Sequence, residues 1–144
     1  MEASKQPPFR EHSPAQSSAE LEGSASADPH ALLRARIKDL QLQLAGTPLE
    51  RAIQELHWEL DARGINLKPT CYLSDQWGCP SGVPVIGVPF YLAHPHLRRL
   101  EGELSGGVET DREIRMYLRH EAGHCFNYAY RLYDTPEWRE LFGD

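Results

Sequence analysis

Residues 110–133 read TDREIRMYLRHEAGHCFNYAYRLY, with no proline in the run. Thr110-Asp-Arg-Glu113 has the form of a capping box, in which the Thr hydroxyl and the Glu carboxylate each accept a backbone N–H of the first turn. A long helix is therefore expected from this point. Inside it lies His120-Glu121-Ala122-Gly123-His124. Side chains four apart on a helix stand one above the other, so the two imidazoles can converge on one point.

That convergence has a chemical use. Neutral imidazole nitrogens bind zinc at about 2.0–2.1 Å. The expectation is Zn²⁺ held by His120 and His124. Glu121 follows the first histidine, where its carboxylate can take a proton from a metal-bound water and so act as general base. The reaction expected of such a site is attack of that water on a peptide carbonyl, with a peptide or protein as substrate.

A catalytic zinc site has three protein ligands and a water. In metzincins the third is a histidine six residues after the second. That position is Tyr130, so the metzincin pattern is excluded. A glutamate on a later helix is the thermolysin-like alternative. Asp134 is the best local candidate for a third ligand, because Pro136 forces a turn that could fold its carboxylate back. Glu137 and Glu140 read as solvated charges on a short last helix. Upstream, Cys79 is a weaker candidate, placed as in peptide deformylases but without their glycine-rich motif. His94 and His96 read as the start of an exposed helix. Cys125 points off the ligand face and reads as a small buried thiol. Tyr128, Tyr130 and Tyr133 offer phenols for an oxyanion, and the packing reading is preferred for them.

Working outward, Asp28-Pro29 opens a helix whose stripe is Leu32, Leu33, Ile37, Leu40 and Leu44, with Gly46 as its stop. Thr47-Pro-Leu-Glu50 is a second capping box. It starts a helix with stripe Leu49, Ile53, Leu56 and Leu60, ended by Gly64. The two are expected to form an N-terminal helical hairpin, with His57 and Trp58 as structural residues. Residues 65–73 read as a short strand and 74–82 as a turn-rich loop. Residues 83–92, VPVIGVPFYL, are β-rich. Pro84 and Pro89 mark them as an edge strand or an extended arm rather than a central strand, and an exposed edge can pair with an extended peptide. Residues 95–104 read as a short helix. The expected fold class is α+β, with a small irregular sheet beside the motif helix.

Composition sets the outer limits. The chain has 144 residues, 15 Lys+Arg against 21 Asp+Glu, and a net charge of −6. A nucleic-acid footprint is not expected at that charge. No apolar run is long enough for a bilayer, so no membrane partner is expected. Residues 1–27 are rich in Ser, Ala, Pro, Gln and Glu, and read as a disordered tail before a domain at 28–144. Three cysteines are too few for a disulfide scaffold, and with no signal-peptide core the expected location is cytoplasmic.

The stretches WGCPSGVPVIGVPFYLAHP and YLRHEAGHCFNYAYRLYDTPEWRELFG together resemble a family of bacterial zinc-binding metallopeptidases. The likeness spans residues 71–143, and HEAGH is its specific element. It implies a zincin-like fold, peptide-bond hydrolysis, zinc on His120 and His124, and Glu121 as base. Proteins of that kind continue past the position of Asp144, where an acidic segment could supply the third ligand. The alternatives are a non-catalytic or truncated zincin-like binding module, and an acidic helical interaction protein with an accidental motif.

Overall fold

The computed structural model describes residues 29–143, so the tail expected at 1–27 lies outside the described residues. The elements are α1 (Pro29–Arg34), α2 (Pro48–Ala62), β1 (Thr70–Ser74), β2 (Val85–Pro89), α3 (Pro95–Ser105), α4 (Asp111–Tyr130) and α5 (Pro136–Phe142). Single 3-10 turns occupy Ile37–Leu40, Phe90–Ala93 and Leu132–Asp134. Helix and strand are mixed, which agrees with α+β.

The motif helix α4 starts as its sequence dictates. The Glu113 N–H donates to Thr110 Oγ1 at 3.3 Å, and the Thr110 N–H donates to the Glu113 carboxylate at 2.8 Å. Ile114, Leu118, Ala122 and Cys125 recur at helical spacing and form its buried stripe. They meet Leu49, Ala52 and Leu56 of α2, Ile86 and Val88 of β2, and Leu92. Leu118 is central and only 1% exposed. Leu118→Ala is expected to lower the unfolding free energy by about 2–5 kcal/mol, read from a urea denaturation midpoint.

Helices α2 and α4 run in the same direction. Arg115 bonds Glu55 at 2.7 Å, and one turn on Arg119 grips Glu59 at 2.6 and 2.7 Å. These pairs lie at the surface and fix register more than they stabilise. The capping box expected at Thr47–Glu50 does not form, although the helix starts there. Thr47 caps no N–H; its hydroxyl donates to Leu44 O at 2.5 Å, and the Glu50 carboxylate accepts from Gly46 N at 2.8 Å.

The helical hairpin expected at the N-terminus does not form. Helix α1 ends at Arg34, a 3-10 turn follows, and Gln41 takes a left-handed conformation with φ 49°. The reason is packing. Leu33 and Ile37 are 58% and 52% exposed, and α1 rests on α3. A short helix without a buried face is not sustained by periodicity alone. Trp58, expected to be structural, is 71% exposed on the outer face of α2. His57 is structural, its Nε2 bonded to Pro69 O at 3.1 Å.

β1 and β2 form a two-stranded parallel sheet in the register Thr70↔Val85 to Ser74↔Pro89. The loop between them crosses β2, and Gly78 makes an antiparallel bridge with Gly87. Gly87 leaves little room for a side chain here. A Cβ would sit 3.0 Å from Ser74 Cβ and 3.3 Å from the Tyr72 hydroxyl.

The bridge changes the edge-strand expectation. Gly87 exchanges N–H···O bonds with Gly78 at 2.7 and 3.3 Å, Val85 N–H bonds Val83 O at 2.8 Å, and Pro89 has no N–H. These alternate residues carry the backbone groups that face away from β1. The outer edge of β2 therefore has no donor left for an added peptide. No described helix is long and apolar enough to cross a membrane.

Candidate metal centre

On α4 the two histidines stand side by side at the surface. His120 Nε2 and His124 Nε2 are 3.2 Å apart, and the rings meet edge to face at 4.9 Å. At that spacing an ion about 2.0–2.1 Å from both nitrogens would subtend about 100–106°, close to the tetrahedral angle of ~109°. The separation of the two nitrogens is that of two ligands sharing one tetrahedral ion.

Glu121 is the only charged residue buried in the described chain, at 7% exposure. No hydrogen bond or ion pair holds its carboxylate among the described residues, and its oxygens keep contact with solvent. Buried carboxylates are normally paired, and this one, adjacent in sequence to His120, is not.

The neighbouring loop explains how Glu121 is covered. Tyr117, Glu121 and Cys125 form a stripe on α4 beside the histidine pair, away from Arg119 and Gly123. Residues 75–82 lie along that stripe. The Trp77 ring stacks on Tyr117 at 5.3 Å and 16°, and Cys79 Sγ meets Cys125 Sγ at 3.3 Å. Glu121 sits between these contacts, one turn from each.

Glu109 pins the loop. It accepts from Trp77 Nε1 at 2.9 Å and from the Tyr91 hydroxyl at 2.9 Å, while its own carbonyl accepts from Arg98 at 2.7 Å. Burial, then the Glu109 carboxylate, pushes the Tyr91 phenol far above its ordinary range. Glu109→Ala strands two half-buried donors and is expected to cost about 1–3 kcal/mol. Trp77 fluorescence reports the same loss. No sequence motif marked Glu109, whose partners come from two distant segments.

On the other side of the histidines lies an apolar groove between α2 and α4. Its volume is about 350 Å³; Leu56, Leu60, Ile65, Ala122 and Phe126 line it beside Gly123, with the charged Glu59, Arg63 and Arg119 also in its wall. Gly123 has open space where a Cβ would stand.

The third-ligand candidates are not brought to the pair. Asp134 is held by Arg131 at 2.6 Å and Arg139 at 3.1 Å. It follows the left-handed residue Arg131, φ 52°, which ends α4 at Tyr130, three residues before the expected end. Glu137 and Glu140 are exposed on α5. Cys79 lies against Cys125, on the Glu121 side. His94 is the N-cap of α3, its Nδ1 accepting from His96 N at 3.2 Å. Among the described residues no group of three His, Cys, Asp or Glu side chains gathers as a metal site.

Cys125 is fully buried, as expected. Burial, then the Cys79 contact, pushes its thiol well above the ordinary range. The tyrosines are engaged elsewhere. Tyr130 donates to Asn66 O at 3.2 Å, and Tyr128 meets Tyr133 edge to face at 6.2 Å. Comparison of the chain with protein-family models, with curated proteins and with solved structures finds no match in any of the three.

Proposed function

We propose that the chain is a zinc-dependent metallopeptidase of zincin type, in which His120 and His124 hold the ion and Glu121 is the general base. The observation that carries this reading is a pair of imidazole nitrogens 3.2 Å apart on a helix whose intervening residue Glu121 is buried with no hydrogen-bond partner among the described residues. A zinc ion bound there supplies a water of lowered pKa and polarises the scissile carbonyl.

The chain's own residues do the rest. A Glu121 carboxylate oxygen takes the proton of the attacking water and passes it to the leaving amine nitrogen. The loop at 75–82 shields that carboxylate from bulk water on one flank. The groove beside Gly123 accepts an apolar side chain of the substrate on the other. Strand addition to the outer edge of β2 is not the mode of peptide binding, because that edge is already paired.

A non-catalytic zinc-binding module is the second reading. It is favoured by the two-ligand set, since Asp134 is committed to two arginines. The test is peptide hydrolysis by zinc-loaded wild type and Glu121→Gln. Zinc-dependent cleavage lost in the variant supports the peptidase. Zinc binding with no cleavage in either supports the module.

A further inference from the structure

The loop at 75–82 brings together a pair of groups that the metal reading does not use. Cys79 Sγ and Cys125 Sγ, 46 positions apart in sequence, touch at 3.3 Å. A disulfide needs about 2.05 Å, so an approach of little more than ~1 Å closes the bond. Cys79 also bonds Val83 O at 3.3 Å, which orients its sulfur in the loop. All three cysteines are free; Cys79 is half-buried and Cys125 is buried. Cys71 is a poor competitor. Its Sγ faces Pro69 O at 3.9 Å rather than another sulfur. Cys79 is thus the sulfur that an oxidant in solution meets, with Cys125 directly behind it.

We propose that Cys79 and Cys125 are a reversible modification site, forming a disulfide by exchange with a small disulfide of the glutathione class. The Cys79 sulfur attacks one sulfur of the oxidant, and the oxidant's S–S bond breaks. One glutathione leaves as a thiol with the Cys79 proton. The Cys125 sulfur then attacks Cys79 Sγ, and the mixed S–S bond breaks. The second glutathione leaves as a thiol with the Cys125 proton. Two protein thiols are oxidised and one disulfide is reduced. The product staples the loop to α4 one turn beyond Glu121. The site does not depend on zinc or on peptidase activity.

The full chain is equilibrated in oxidised and reduced glutathione, with and without zinc, then tagged with maleimide and mapped by mass spectrometry. Wild type and Cys71→Ser are expected to lose two thiols together and to give one Cys79–Cys125 cross-linked peptide, reversed by dithiothreitol. Oxidation should raise Tm by about 5–15 °C, from the closed loop. Cys79→Ser, in the loop, should form no internal bond. No thiol loss, a link through Cys71, or glutathione left on Cys79 as the end product each overturns the proposal. The wild-type and Cys71→Ser results decide it even where a Cys125 variant fails to fold.

Discussion

Glu121→Gln is expected to bind zinc as wild type does and to hydrolyse peptides about 10²–10⁴-fold more slowly. The amide keeps the shape of the side chain and loses the base. It should fall mainly in kcat, because the proton is taken in the transition state. Stability should not follow. Glu121 makes no hydrogen bond among the described residues, so replacing its carboxylate breaks no bond and should not lower Tm. A structural carboxylate would behave oppositely, with Tm falling and any cleavage retained. Stopped-time peptide assays and a thermal melt on the same samples separate the two.

The double change His120→Ala with His124→Ala is expected to abolish the response to zinc. In wild type, zinc at 100 times its dissociation constant should stabilise by about 2.7 kcal/mol, by mass action. For a domain of this size that is a rise in Tm on the order of 10 °C. The double variant should show no rise. Both histidines are exposed, so their loss should leave the metal-free Tm nearly unchanged. Calorimetry with and without zinc measures both quantities.

The parts of the fold that were legible in the sequence are those set by local chemistry. Thr110 and Glu113 close within one turn, so their box could be read directly. The short helices at Pro95 and Pro136 likewise follow from proline at the first position. The helix expected at 28–46 had the right spacing but no surface to bury it. Leu33 and Ile37 stay exposed, and Gln41 turns left-handed. Periodicity records which residues could share a face, and says nothing of whether a partner reaches that face.

The site divides in the same way. His120, Glu121 and His124 lie within five residues of one helix, so helical geometry alone brings them together. The turn forced by Pro136 is all that recommends Asp134 in the sequence. Its arginine partners Arg131 and Arg139 compete for the carboxylate, and only the folded chain shows it. The Gly78–Gly87 bridge closes an edge that two prolines had marked as open. Glu109 and the Cys79–Cys125 contact join segments far apart in sequence, which no local pattern records.

The proposed function stands on His120 and His124 binding one ion together. X-ray absorption at the zinc edge, on chain loaded with one equivalent, tests it most directly. Zinc on the wild-type chain should show two imidazole nitrogens at about 2.0–2.1 Å, with both imidazole signatures lost in the double variant. A spectrum with no imidazole, or one unchanged in the double variant, would contradict it.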